Sequence, residues 1–289
     1  MKSKLKYQGG LTKLLCRSRA ALNKKRFRQQ FSEASLIPQV SRQSDFEVMS
    51  LSGADAFEEQ VLSIYSFLYY GGMPTRWTLY SDKTYTDEQK DFFTNEFKFL
   101  RVLDWDVYEF HKTDKYVGAY LDVCPMAKKL NILLGHSYTG PTLYLDSDIM
   151  IYKNIAYYFN SPLLKSGLWY AADTIGDINL YFRQDRESLY ALNAGFLLFN
   201  KEFDRTNVFK YMEGLQGKYD WFSEQSSIEY AFRMQGAQML DPRQFIIDSD
   251  DQFDFGIKFR PDEIAMRHYT SPVRHKMFQH NWKWHFNGL

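Results

Sequence analysis

Only two cysteines, Cys16 and Cys124, occur in the 289 residues, and Cys16 sits in a polar, basic stretch. A secreted chain of this size more often carries disulfides, so a reducing, cytoplasmic setting is expected. No run of roughly 18 or more apolar residues exists. The longest candidate, Ile64 to Tyr70, is too short and too aromatic to span a bilayer. The basic N-terminus has no continuous apolar segment behind it, unlike a secretory signal. Gly-rich phosphate loops, zinc-ligand spacings and catalytic-triad sequences are absent too. A composition of 45% hydrophobic and 25% charged residues argues against a disordered, collagenous or disulfide-stapled chain and is enough for a sizeable α/β core.

One stretch lacks acid altogether. Residues 1–31 hold ten Lys/Arg and no Asp or Glu, which leaves 26 basic against 35 acidic side chains elsewhere, although the net charge is +1. Leu11, Leu14, Leu15, Ala21 and Leu22 fall at roughly helical spacing among those cations, with Phe27 and Phe31 beyond. A basic amphipathic helix of this kind fits an anionic membrane surface. The alternatives are a solvated arm or a helix packed on the acidic body. Nucleic acid is not an expected partner, because aromatic interleaving is sparse and the rest of the chain is acidic. Ser32 to Asp45, polar and containing Pro38, suits a linker, so the chain divides into a basic extension over 1–44 and a domain over 45–289.

From Phe46 onward strands and helices alternate. Phe46 to Leu51 reads as a strand and Ala54 to Tyr70 as a helix, ended by Gly71-Gly72-Met73-Pro74. Arg76 to Ser81 is a second strand, and Thr86 to Phe97 a helix with a cap and an acidic first turn at Thr86-Asp87-Glu88. Val102 to Phe110 is a third strand, Val117 to Leu134 a helix broken near Cys124-Pro125, and Thr142 to Leu145 a fourth strand. This order describes a parallel, doubly wound sheet, in which ligands bind beyond the carboxyl ends of the strands. Polar groups stand at those ends: Ser50 and Ser52, Ser81 and Asp82, Asp106, and Asp146 and Asp148. A nucleotide is expected there.

The sharpest signal is Asp146-Ser147-Asp148. Two acids one residue apart, directly after an apolar strand, suit a hard divalent cation such as Mn²⁺ or Mg²⁺ shared with substrate phosphates. Such an ion neutralises charge on a pyrophosphate leaving group. An Asp-rich turn capping a helix is the plain alternative, but the apolar segments on both sides are unlike a turn. A phosphatase of the haloacid-dehalogenase type is a second alternative. Its motif resembles Asp-x-Asp-x-Thr, whereas Met150 stands at the fifth position, and its nucleophile strand tends to come first rather than fourth.

Tyr144-Leu-Asp146-Ser-Asp148-Ile-Met-Ile151-Tyr-Lys-Asn-Ile155 resembles the metal-binding segment of glycosyltransferase family eight, which includes glycogenin and the bacterial lipopolysaccharide galactosyltransferases. Four more segments follow the family's layout. Ala127-Lys128-Lys129-Leu130 precedes the acids with a basic residue, Leu192-Asn193-Ala194-Gly195-Phe196 resembles an Asn-Ala-Gly strand, and Glu224-Gln225 stands where the family has Asp-Gln. Arg267-His268-Tyr269-Thr-Ser-Pro-Val-Arg274 resembles its His-x-x-Gly-x-x-Lys ending. The likeness covers residues 46–280 in layout and about 40 positions in motif. Ser271 and Arg274 replace the family's Gly and Lys, and His275-Lys276 stands where Pro-Trp should follow, which leaves a neighbouring family of the same fold open.

The resemblance implies a single α/β domain of the GT-A (Rossmann-like) nucleotide-sugar-binding type with a mixed central sheet. It implies transfer of a hexose from a nucleoside diphosphate, UDP above all, to an acceptor hydroxyl with retention. His268 would join Asp146 and Asp148 as a metal ligand, with Mn²⁺ or Mg²⁺ as cofactor. Lys129, Ser147 and Arg274 would serve the donor's nucleotide and phosphates, with Lys276 as the fallback for Arg274. Asn193, Glu224 and Gln225 would face the donor sugar, Gln225 near the anomeric carbon. Asp173, after the apolar Leu168 to Ala172, is one more strand-end acid aimed at the sugar. Aromatics make up 18% of the chain. Tyr157-Tyr158, Tyr181-Phe182, Trp221-Phe222 and Trp282/Trp284 offer stacking faces for sugars or, more often, core and rim. Acceptor choice, whether glycan, lipid or protein, would lie in 174–192 and 275–289. Two readings from other classes remain: a metal-dependent phosphate hydrolase or nucleotidyltransferase, and a non-catalytic sugar-binding module.

Overall fold

Val48, Trp77, Leu79, Leu143 and Leu145 enter one buried cluster, while their chain neighbours Met49, Tyr80 and Tyr144 enter another. The two clusters are the two faces of a central sheet, and side chains pointing alternately up and down each strand feed both. With both faces covered, the strands read as continuous apolar runs, as parallel sheets require.

The structure, a computed structural model, describes residues 9–33, 40, 42–173, 191–252 and 254–282. In chain order come α1 (Gly9–Glu33), β1 (Glu47–Ser52), α2 (Phe57–Gly71), β2 (Arg76–Ser81), α3 (Asp87–Glu96), β3 (Leu100–Asp104), α4 (Phe110–Thr113), α5 (Lys115–Val123) and α6 (Ala127–Gly135). Then follow β4 (Thr142–Leu145), β5 (Ile149–Ile151), α7 (Ile155–Asn160), β6 (Leu168–Asp173) and β7 (Ala191–Phe199). Last are α8 (Thr206–Gly214), α9 (Ser223–Met234), β8 (Gln238–Met239), β9 (Phe245–Ile246), β10 (Met266–His268) and a wide π turn, Met277–Asn281.

Seven strands form the central sheet in the order β3-β2-β1-β4-β7-β6-β8. β3, β2, β1 and β4 are mutually parallel, and β7 runs antiparallel between β4 and β6. The mixed sheet is the expected architecture. A small second sheet, β5-β10-β9, lies outside it, and the antiparallel register His268↔Ile149 sets β10 beside β5.

Local chemistry accounts for most boundaries. Thr86 caps α3 through a reciprocal capping box with Gln89. Gly72 ends α2 at φ 95°, where an added Cβ would lie 2.9 Å from the Arg42 carbonyl oxygen. Pro125 has no N–H to continue a helix and holds Cys124 extended, so the expected long helix is two, α5 and α6. The third strand stops at Asp104 rather than running to Phe110. β2 ends at Ser81, opposite Asp104, and offers no ladder partner beyond it. Asp106 therefore sits in a 3₁₀ turn two residues beyond β3 and pairs with Lys83 at 2.5 Å.

α1 rests on the body. Cys16, Ala20, Asn23 and Phe27 are its buried side chains among the described residues, and Phe27 packs at 5.5 Å from the Phe278 ring and 6.1 Å from Trp282. Cys16 is buried beside Gln279, despite its polar neighbours in sequence. No described helix is long and apolar enough to cross a membrane.

Candidate functional site

β4 delivers Asp146 to the carboxyl edge of the sheet, and two backbone pairings fold the next residues over it. The Asp146 N–H donates to the Gly195 carbonyl (2.9 Å), and the Tyr269 N–H to the Asp148 carbonyl (2.8 Å). The second contact continues the β5–β10 ladder, which carries His268 from 120 residues away to Asp148. Its Nε2 lies 3.0 Å from Asp148 Oδ1 and 3.8 Å from Asp146 Oδ2. One ligand atom from each of Asp146, Asp148 and His268 lies within 4.8 Å of the others.

Charges around the three are arranged tightly. Asp148 is buried and takes Arg274 Nε at 3.0 Å and Nη2 at 2.5 Å on its other oxygen. Burial alone would raise its pKa, but His268 and Arg274 outweigh that and hold it far below the usual carboxylate range. His268 moves the other way. Burial pulls its pKa down, yet Asp148 wins and the net shift is upward. Lys129 is buried with its ammonium 3.3 Å from Asp146 and 3.8 Å from Glu224. Burial opposes its charge, and the two acids keep it protonated.

A second layer of polar side chains lies against these groups. The β6–β7 register jumps from Tyr170↔Leu197 to Ala171↔Asn193, so residues between Asn193 and Leu197 are freed from β6. Asn193 uses both ends of its amide. Its Oδ1 is 2.9 Å from His268 Nδ1 and accepts from the Gly195 N–H at 2.9 Å, while its Nδ2 donates to Asp173 at 2.9 Å. Gln225 donates to the same Asp173 oxygen at 3.1 Å and accepts from the Ala194 N–H at 3.3 Å. Glu224 lies one residue before it, 1% exposed, with no hydrogen bond to Oε1. Burial pushes its pKa up to about 7, against the pull of Lys129.

Asp146, Asp148, His268, Lys129, Arg274, Asn193, Asp173, Glu224 and Gln225 thus converge on one edge, and Ser147 lies in the turn between the two acids. Ser52 and Ser81 end β1 and β2 at that same edge, and Asp82, which follows, is occupied by Thr84 at 2.9 Å to the backbone and 2.6 Å to the hydroxyl. Ser50 is fully buried and accepts from Trp77 Nε1 at 3.2 Å. Lys276 is buried elsewhere, 3.4 Å from Asp251 in a cluster with Arg267, so it is Arg274 that reaches the acids. Tyr157 and Trp221 are exposed, and Trp282 is core. Tyr181, Phe182, Trp284 and most of the two acceptor segments fall outside the described residues.

Two residues within the sequence motifs were given no role at the site. Tyr144, on the same strand face as Asp146 two residues on, gives its hydroxyl to Asp146 Oδ1 at 2.7 Å. Period-two spacing would have found it. At Gly195 an added Cβ would meet His268 Cε1 at 2.4 Å and Asp146 Oδ2 at 2.8 Å. The signal was a residue without a side chain in mid-strand, between Asn193-Ala194 and the large apolar Phe196 to Phe199.

Comparison by sequence matches neither a protein-family profile nor a curated protein. Solved structures do match in fold. A galactosyltransferase, LgtC, crystallised with donor and acceptor sugar analogues, aligns over 83% of this chain and 99% of its own at 13% identity, with a TM-score of 0.53. The glycosyltransferase GlyE of Streptococcus pneumoniae aligns at 15% identity over 85% of this chain and 63% of that one, TM-score 0.51. Mouse xyloside xylosyltransferase 1 aligns at 12% identity over 80% and 99%, TM-score 0.51. The fold is that of the GT-A glycosyltransferases.

Proposed function

We propose that this chain is a metal-dependent glycosyltransferase that moves a hexose from UDP or a similar nucleoside diphosphate to an acceptor hydroxyl, with retention. The observation that carries the reading is the convergence of Asp146, Asp148 and His268, with ligand atoms within 4.8 Å, at the carboxyl edge of the sheet. Two carboxylates and one imidazole are a donor set suited to Mn²⁺, and to Mg²⁺ less well because of the nitrogen. Lys129 and Arg274 add positive charge, as a bound diphosphate requires. The ion would act as a Lewis acid on the departing diphosphate.

The remaining work belongs to side chains. Arg274, 47% exposed, offers a planar fork to a phosphate oxygen from the solvent side. Lys129, itself buried, sets a positive charge 3.3 Å from Asp146. Asp173 holds the amides of Asn193 and Gln225 in place, so neutral groups rather than a fixed positive charge face the donor sugar, whose transition state gains positive character. As the bond from the anomeric carbon to the phosphate oxygen breaks, the acceptor oxygen bonds to that carbon from the same face. The acceptor's proton leaves with the diphosphate. An open cleft of about 610 Å³ adjoins Asp173, walled by Ile246, Ile247 and Phe259 with Arg243 and Lys258 at its rim. It is the proposed approach for the acceptor.

The test is release of UDP from a panel of UDP-hexoses by the full chain with Mn²⁺, and its loss in Asp148→Ala. A panel that neither turns over nor raises the melting temperature in the presence of Mn²⁺ overturns the reading. Release of inorganic phosphate from simple esters would replace it with a phosphohydrolase.

A further inference from the structure

α1 is apolar on two opposite sides. Its inner side is the buried row Cys16, Ala20, Asn23 and Phe27 described above. Asn23 Nδ2 donates to the Phe278 carbonyl at 2.9 Å, Lys24 pairs with Glu59 at 2.7 Å, and Arg28 pairs with Glu58. These contacts account for the helix's attachment and use none of its leucines. Leu11, Leu14, Leu15 and Leu22 stand on the outer side, exposed to 70, 62, 48 and 52% of their full surface. At about 100° per residue the four cluster around the direction opposite Cys16. Arg17, Arg19 and Arg26 are exposed on the flanks of the same stripe, and Ser18 and Lys25 are exposed within it.

An outward row of leucines is not needed for packing, and it costs free energy in water. We propose that this outer face of α1 docks on an anionic lipid bilayer, with the leucines entering the acyl boundary and the flanking bases meeting acidic headgroups. The charge decides between occupants. Residues 1–31 carry ten bases and no acid, so two-fold pairing of this face with a second copy would set base against base. Anionic headgroups complement it instead. α1 lies on Glu58 and Glu59 at the start of α2 and packs on Phe278 in the π turn, so its inner contacts leave the outer face free to dock. Docking of this face does not depend on the transfer reaction proposed above.

The experiment is co-sedimentation of the full chain with vesicles of phosphatidylcholine alone and of phosphatidylcholine mixed equally with phosphatidylglycerol. The expected result is binding to the mixed vesicles, at least about tenfold weaker binding to the neutral ones, and release at roughly 0.5 M salt. The combined variant Leu11→Gln, Leu14→Gln, Leu15→Gln, Leu22→Gln should lose binding while keeping its melting temperature, since those side chains already face solvent. Phe27→Ala should lower the melting temperature and serves as the packing control. Failure of the wild-type chain to bind mixed vesicles overturns the proposal, as does undiminished binding by the four-leucine variant. So does concentration-dependent dimerisation through these leucines without vesicle binding.

Discussion

His268 Nδ1 lies 2.9 Å from Asn193 Oδ1, while the opposite ring nitrogen, Nε2, faces Asp148 at 3.0 Å. An amide oxygen only accepts, so Nδ1 carries the proton and Nε2 is the nitrogen available to a metal. Asn193 therefore orients the His268 ring, in addition to the sugar-facing role proposed for it. Such outer partners are typically worth 10–100-fold in metal affinity, as an order of magnitude. Asn193→Ala should weaken Mn²⁺ binding by roughly that factor, as measured by calorimetric titration. Unchanged Mn²⁺ affinity would show that the Asn193 contact does not position the ring.

Gly195→Ala should remove the Mn²⁺-dependent rise in melting temperature. The new methyl would meet His268 Cε1 at 2.4 Å and Asp146 Oδ2 at 2.8 Å, so both ligands must shift. Overpacking of this kind costs about 1–3 kcal/mol in the fold itself. The decisive comparison is the Mn²⁺-induced shift in each protein, not the metal-free melting temperature. A full-sized shift in the variant would mean that the two ligands are not where the ion binds.

Glu224 makes stability depend on pH with a defined sign. Its carboxyl is pushed up to about 7 by burial, whereas in an unfolded chain it would titrate near 4.3. Between those values the unfolded chain is ionised and the folded one still holds its proton, so this group's contribution falls as pH rises through the window and is level above it. Glu224→Gln mimics the neutral acid. The variant should match the wild type near pH 4 and exceed it in melting temperature at pH 8. A difference that is independent of pH would rule out the raised pKa. If Glu224 also faces the donor, the more stable variant will turn over more slowly.

How far the sequence could be read depended on how local each determinant was. Arg76–Ser81 and Thr142–Leu145 were legible residue for residue, because apolar runs ended by an acid need no distant partner to be recognised. The Thr86 cap was legible for the same reason. Asp106 was misread as a strand end because the length of β3 is set by where β2 stops, a fact of pairing. β8 and β9, each two residues long, exist only through their partners in the sheets. His268 was reached through resemblance alone, since its place beside Asp148 depends on the ladder of β10 with β5. No spacing rule connects residues that far apart.

Arg274 and Lys276 separate by the same logic, and they give the last prediction. Arg274 now occupies the Asp148 oxygen that an arriving cation would share, at 2.5 Å. Arg274→Ala should therefore tighten binding of Mn²⁺ alone, by removing a competing positive charge, and weaken binding of UDP in the presence of Mn²⁺, by removing a phosphate donor. Arg274→Lys should fall between, because an ammonium keeps the charge but loses the fork. Lys276→Ala should instead lower the melting temperature and leave UDP affinity alone. Its ammonium is buried 3.4 Å from Asp251, and removing one partner of a buried ionic cluster typically costs about 3–5 kcal/mol, a figure reduced here because Arg267 still holds Asp251 at 2.6 Å. Titrations of Mn²⁺ and UDP against all three variants, with melting curves, resolve the pair. If Lys276→Ala weakens UDP binding and Arg274→Ala does not, the phosphate-binding role belongs two residues further along the chain.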